Sequence, residues 1–213
     1  MTPAEQIAFW ADKLRDISAM GLRFAKSIHD ESAFRAVQTI AMEMLPTATG
    51  EPWDQIEPLR ATVLSRPTPF VSGDAAVIDE AGRMLLVQRA DNAMWAMPGG
   101  ALEVGETPAA GVVRETLEET GVLCQAVALV GVFDSRLCGT PSRHHVYQFV
   151  FLCRPSSGEA QQASHEIEVL DTRWFSENEL PEDIDPGHQT RIPEAFRVWQ
   201  GDNRVFFDGA PNG

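Results

Sequence analysis

The stretch Gly99-Gly100-Ala101-Leu102-Glu103-Val104-Gly105-Glu106, continued after Thr107-Pro108 by Arg114-Glu115-Thr116-Leu117-Glu118-Glu119-Thr120-Gly121, decides how the rest of the chain is read. Thr107 can cap a helix, Pro108 suits its first position and Gly121 suits its stop, so residues 108–120 are expected to be helical. On that helix Glu115 stands three residues before Glu118 and four before Glu119, and the three carboxylates project over neighbouring ground. Like charges at this spacing oppose the helix by roughly 0.2–0.5 kcal/mol per pair. Arg114 offsets part of this by pairing with Glu118, and the remainder invites a divalent cation, since hard ions such as Mg²⁺ take carboxylate and carbonyl oxygens. Gly111, one turn before Glu115, is expected to keep the approach of a ligand open. Ala109, Ala110, Val112, Val113 and Leu117 are expected to form the buried side. A solvated acidic helix is the plain alternative.

Outward from this stretch the periodicity changes in both directions. Ala75–Ile78 and Met84–Val87, around a Glu80-Ala81-Gly82 turn, read as a β-hairpin. Ala126–Phe133, Val146–Cys153 and Thr172–Phe175 read as further strands, and Thr190–Gln200 as a terminal helix. Strands with a helix between them place the chain in the α/β (α+β) class, a mixed sheet packed between helices. Toward the N-terminus, Ile7, Trp10, Leu14, Ile17, Gly21, Phe24 and Ile28 recur at steps of three and four, the stripe of an amphipathic helix. Phe34, Val37, Ala41 and Met44 suggest a second helix over Glu31–Leu45, ended by Pro46. The two form an α-helical hairpin. Pro52, Pro58, Pro67 and Pro69 then punctuate the chain around Leu59, Val63 and Leu64. The resulting division is an N-terminal helical segment at 1–66, a main domain at 67–200 and a tail at 201–213.

Composition bounds the function. The chain has 213 residues, 44% hydrophobic and 23% charged, with 17 Lys+Arg against 31 Asp+Glu and a formal charge of -14. Disorder, collagen and membrane spans fit poorly, and the charge gives no general attraction to nucleic acid or anionic lipid. Phosphate handling by such a chain needs positive charge from elsewhere. Cys124, Cys138 and Cys153 are too widely spaced for a CxxC pair and read as reduced thiols. Charges through the first thirty residues interrupt any signal-peptide core, so a cytoplasmic location is expected.

The series Gly100, five residues, Glu106, seven residues, Arg114-Glu115, two residues, Glu118-Glu119, one residue, Gly121-Val122 resembles the Nudix box, with every fixed letter present. At the ~7% frequency typical of Gly, seven such matches arise by chance in about one window in 10⁸. Thr116 departs from the family, which usually has an aliphatic residue there. Trp10-Ala11, Leu14-Arg15, Gly21-Leu22, Phe24-Ala25-Lys26, Arg66-Pro67-Thr68-Pro69 and His144-His145-Val146-Tyr147 resemble one Nudix subgroup. That subgroup hydrolyses nucleoside diphosphates linked to another moiety and includes CDP-choline pyrophosphatases.

The resemblance implies a Nudix fold and a pyrophosphohydrolase dependent on Mg²⁺ or Mn²⁺. It implies Glu115 and Glu119 as principal metal ligands, Glu118 as a third carboxylate, Gly99 as a carbonyl ligand and Arg114 as the residue that orients the glutamates. A late-loop glutamate, Glu166 or else Glu168, is the candidate general base. Arg89 and His145, with His144, are candidate substrate contacts, although a surface ion pair or a structural histidine would explain them equally. Trp95 and Phe70 are candidates for base stacking or for core. The substrate class is a nucleoside diphosphate linked to X, of the CDP-choline or ADP-ribose kind, and the resemblance favours a homodimer over a helical stripe that packs within its own chain. A non-catalytic nucleotide sensor, and hydrolysis of oxidised nucleoside triphosphates or RNA ends, are the alternatives.

Overall fold

The computed structural model describes residues 1–60, 68–139, 145–156, 163–164 and 167–209. They form two compact units, Met1–Thr68 and Pro69–Gly213. The boundary expected near Arg66 falls outside the described residues.

In the first unit α1 (Pro3–Phe24) and α2 (Ile28–Thr49) are joined by a three-residue turn, and a short α3 (Trp53–Ile56) follows. Thr2 and Glu5 make a reciprocal capping box at the start of α1, and Ser27 caps α2 through the Asp30 N–H. Pro46 does not end α2 as expected. A proline in the last turn forfeits a single hydrogen bond, and the helix runs on to Gly50, which closes it in the left-handed conformation with its N–H on the Pro46 carbonyl. Within the unit the buried residues among those described are Ala11, Ser18, Gln38, Ala41, Met42 and Ile56, with the Phe34 ring lying where a side chain on Gly21 would go. Trp10, Ile17 and Phe24 of the predicted stripe are half exposed, as is Ile40 of α2. The buried residues of α1 are thus small, Ala11 and Ser18, with Gly21 leaving room for Phe34 of α2, and an apolar ridge at spacing seven faces outward.

The second unit carries β1 (Phe70–Val77), β2 (Arg83–Arg89), β3 (Trp95–Ala96), β4 (Gly99–Ala101), α4 (Pro108–Thr120), β5 (Cys124–Asp134), β6 (Val146–Pro155), β7 (Val169–Ser176), α5 (Pro186–Gln189), α6 (Arg191–Trp199) and β8 (Phe206–Phe207). Strands run in the order β4-β1-β6-β5-β8 in one sheet and β3-β2-β7 in another. The expected β1–β2 hairpin is reduced to one bridge, Ile78 to Met84, after which the strands part into different sheets. From Gly73 onward both faces of β1 are buried, and all but Asp74 of that stretch are apolar or glycine, which suits a central strand flanked by β6 in parallel and β4 in antiparallel. Alternation along β1 divides the core. Ala76 and Ile78 pack with Ile192, Ala195 and Phe196 of α6, whereas Ala75 and Val77 pack with Val112 of α4.

The segment read as a tail is partly structured. β8 pairs in parallel with β5, the Phe206 ring stacks on Phe133 at 4.4 Å, and the Asp208 carboxylate accepts the Asp134 N–H. A Cβ on Gly131 would sit 2.6 Å from the Phe206 carbonyl oxygen, so a bare backbone there is what lets the strand dock.

The inward face of α4 also differs from expectation. Gly111, Val112 and Thr116 are buried, while Ala110 is exposed. Thr116 satisfies its hydroxyl on the Val112 carbonyl at 2.7 Å, which lets a polar atom sit in the core where an aliphatic side chain is usual for the family. Gly111 makes room for protein and not for a ligand: a Cβ there would lie 2.5 Å from Leu102 Cδ2 and 2.7 Å from Glu106 Oε1. Alanine improves helix propensity by up to ~1 kcal/mol, but overpacking costs ~1–3 kcal/mol. Gly111→Ala is thus expected to lower Tm by a few degrees at ~2–4 °C per kcal/mol. Calorimetry that finds the variant more stable than the parent would contradict this packing.

Candidate functional site

The site is organised by one guanidinium. Arg114 donates from Nε and Nη2 to both oxygens of Glu106, at 3.1 and 2.9 Å, and from Nη1 to Glu115 at 2.9 Å and Glu118 at 3.0 Å. Nη2 also reaches the Ala101 carbonyl, and Glu106 Oε1 accepts the Glu103 N–H at 2.7 Å. Arg114 therefore ties the 101–106 loop to α4 while it offsets the repulsion among the helix carboxylates, and they in turn push its own pKa upward.

The other wall is β4. In its pairing with β1, Gly99 lies opposite Asp74 and Gly100 opposite Gly73. A Cβ on Gly99 would strike the Gly73 carbonyl and come 2.8 Å from the Asp74 Cα, and one on Gly100 would come 2.8 Å from the Glu115 carboxyl carbon. Two bare residues let this backbone slip between Asp74 and Glu115. The Gly99 N–H donates to Glu119 Oε2 at 3.0 Å. Burial pushes the Glu119 carboxyl up to about 8, the Gly99 hydrogen bond opposes this, and the charges of Glu115, Asp74 and Glu168 push the same way as burial.

Gly99, Arg114, Glu115, Glu118 and Glu119 thus lie together, linked by the Arg114 fork and the Gly99 N–H. Glu166 and His144 lie outside the described residues. Glu168 is placed close enough for its charge to act on Glu119, and its carbonyl accepts the Ala90 N–H. Arg89 points its fork at Asp91, at 2.9 and 2.7 Å, and lines the adjoining cavity. His145 pairs instead with Asp134 at 3.2 Å and packs edge-on against Tyr147, off the cavity wall. Trp95 is core, set edge-on to Phe175.

The cavity, about 320 Å³, opens beside Gly99 and Gly100 and brings in residues that sequence reasoning missed: Asp74, Asp185, His188 and Arg191. Arg191 is 1% exposed, bonds Asp74 through Nη1 and donates from Nε to the Gly187 carbonyl at 2.6 Å. Burial raises Asp74 from the ordinary carboxylate value, and the Arg191 guanidinium beside it opposes that shift. His188 accepts the Met97 N–H on Nδ1 at 3.2 Å, so Nε2 carries the proton, and burial holds the ring neutral. Segment 183–191 is further laced to β3 by Trp95 N–H to Asp183 and Asp185 N–H to Trp95. A charged residue in the apolar strand Ala75–Ile78 continues, and another opening the apolar helix at 191, were the signals for Asp74 and Arg191; a buried pair resolves both.

The donor set fits a hard divalent cation. It is all oxygen, and Glu119 is a partly buried carboxyl whose charge its surroundings oppose, which a cation would stabilise as a proton does. Among the described residues no three His, Cys, Asp or Glu side chains already converge on a point, because Arg114 gathers Glu115 and Glu118 to itself. No helix among them is long and apolar enough to cross a membrane.

Comparison with known proteins agrees with this geometry. The sequence profile of the NUDIX domain matches residues 69–195, and that of a UDP-X-like, N-terminal oligomerisation domain matches residues 5–59. A MutT-like protein of Streptomyces ambofaciens is 36% identical over 140 residues, 66% of this chain and 84% of that protein. A putative ADP-ribose pyrophosphatase of Bacillus subtilis is 29% identical over 172 residues, 80% of this chain and 81% of that protein. The crystal structure of a UDP-X diphosphatase superposes with a TM-score of 0.59 at 25% identity, over 96% of this chain and all of that one. With the profile covering more than half its length and the acidic helix folded against the glycine pair of β4, the chain belongs to the Nudix hydrolase family.

Proposed function

We propose that the protein is a metal-dependent pyrophosphohydrolase that cleaves the phosphoanhydride of a nucleoside diphosphate linked to X, of the CDP-choline or ADP-ribose kind. The products are a nucleoside monophosphate and a phosphorylated X. The observation that carries this reading is the partly buried Glu119 carboxyl, hydrogen-bonded to Gly99 and one turn from Glu115. Glu115, Glu118, Glu119 and the Gly99 carbonyl would hold Mg²⁺ or Mn²⁺, which when bound supplies charge neutralisation on the diphosphate and acidity to water. Arg114 keeps Glu115 and Glu118 oriented, and the Gly99 N–H fixes Glu119. The proton of the attacking water goes to a loop glutamate, Glu166 or Glu168, as the P–O bond to the leaving phosphate breaks. Arg89, freed from Asp91, and His145 are the candidate substrate contacts. The three free thiols accord with a cytoplasmic setting.

The outward ridge of Trp10, Ile17 and Phe24 supports a homodimer through the N-terminal unit, as does the match to an oligomerisation domain. Light scattering of the full chain should give twice the 23.4 kDa protomer mass, and Trp10→Glu with Ile17→Glu should halve it. An unchanged mass removes this assignment.

A panel of CDP-choline, ADP-ribose, oxidised dGTP and capped RNA, with Mg²⁺ or Mn²⁺ and mass-spectrometric readout, tests the reaction. Glu119→Gln should lose at least about 10²-fold in kcat against the nucleoside diphosphate conjugates. Tight, metal-independent nucleotide binding without turnover in the parent would return the chain to the sensor reading.

The Glu119 shift also sets a pH dependence. Folded Glu119 titrates near 8 against 4.5 unfolded, so the folded state holds the extra proton between those values and stability falls as pH rises through the window. In EDTA, Tm should therefore decline from pH 4.5 to 8, Mg²⁺ should restore it most at the upper end, and Glu119→Gln should flatten the slope. A Tm that rises over this interval in EDTA, with no change in Glu119→Gln, would refute the placement of Glu119.

A further inference from the structure

We infer that Arg191 is a positioning residue of the site: acting through Asp74, it holds the Gly99 backbone where its N–H reaches Glu119. Only the use of that geometry, which is to present the Gly99 carbonyl and Glu119 to one cation, rests on the metal-dependent pyrophosphohydrolase reading.

β4 has little with which to hold itself in place. It is the outermost strand of its sheet, paired on one side to β1, and its three residues are two glycines and an alanine. A bare backbone has no side chain to wedge into a core, so its position is set by main-chain bonds and by whatever lies opposite. Gly73 lies opposite Gly100, and Asp74 lies opposite Gly99. Of the two residues that face the glycine pair, only Asp74 has a side chain.

That side chain divides its oxygens between two neighbours. Oδ2 takes the Arg191 guanidinium, and Oδ1 lies 2.9 Å from where a Cβ on Gly99 would stand. Arg191 is fixed in turn by donating from Nε to the Gly187 carbonyl at 2.6 Å, within the short helix that carries His188. From there His188 accepts the Met97 N–H, two residues ahead of Gly99. The contacts therefore run from Arg191 to Asp74, to Gly99 and to Glu119, and a second arm of the same segment steadies the approach to the glycines.

Stability alone does not account for the pair. Arg191 is 1% and Asp74 7% exposed, and two charges taken out of water to this degree give no more stability than a well-packed apolar couple of similar volume, often less. What the pair adds over such a couple is direction. A planar guanidinium accepts a carboxylate in few orientations, whereas hydrocarbon packs in many. Direction is what a glycine strand without side chains lacks, and the pair stands at the one position from which it can be supplied to Gly99.

The pair can be removed and the fold kept. Asp74→Leu with Arg191→Met puts an apolar couple in its place at unchanged net charge, and Tm should stay within about 5 °C of the parent. In EDTA, hydrogen exchange read by NMR at the Gly99 amide should quicken at least about tenfold, while amides of the β2–β7 ladder keep their parental rates. Mn²⁺ alone, titrated by calorimetry, should bind about 10- to 100-fold more weakly. A pair that served stability only would move Tm and the ladder amides together with Gly99 and leave the Mn²⁺ affinity of the folded protein where it was. Asp74→Val with Arg191→Leu, a couple of smaller volume, repeats the test where the first does not fold. Parental exchange at Gly99 in a folded couple overturns the inference. Failure of both couples to fold overturns it too, since the pair would then support the whole unit and not the glycine strand. Quickened exchange confined to Gly99, with a parent that binds no Mn²⁺, leaves the inference standing and overturns the metal-dependent reading instead.

Discussion

Everything in the site depends on a clash of like charges that the fold does not avoid but contains. Glu115, Glu118 and Glu119 share one flank of α4, and a helix carrying only these would be weakened by them. Arg114 contains two of the three directly, and by reaching Glu106 at the same time it turns the repulsion into a tether for the preceding loop. Glu119 is left to burial and a backbone N–H, and so becomes the group most responsive to a proton or a cation. The acidic composition of the chain and its capacity to act on phosphates are reconciled at this one point.

The packing of α4 explains how such a helix survives. Its inward face is made of Gly111, Val112 and a self-satisfied Thr116, and it lies against Ala75 and Val77 of a strand buried on both sides. The opposite face of that strand packs on α6. Electrostatic cost on the outer flank is met by close contact on the inner one, which is why space at Gly111 is given to Leu102 and Glu106.

What could be read from the sequence was what local chemistry determines. The cap at Thr107, the stop at Gly121, the carboxylate spacing and the strands from Cys124 to Phe175 follow from turn preferences and period. The failures share a different cause. The β1–β2 hairpin dissolved because each strand found partners far along the chain, and Pro46 was tolerated because it came in the last turn. β8 was missed since two residues carry no period; its signal is the fit of Phe206 over the bare Gly131. Asp74, Asp185, His188 and Arg191 are separated by more than a hundred residues from one end of the set to the other, and only the tertiary fold makes them neighbours.

The lacing of segment 183–191 to Trp95 and Met97 divides labour along the chain. One stretch, 99–121, carries the glycine pair and the acidic helix, and a second, remote in sequence, lines the cavity beside the glycines. Because the second stretch is bonded to Trp95 and Met97, ahead of the glycine pair, a substitution at 185 or 188 alters the cavity wall without removing a bond of the acidic helix.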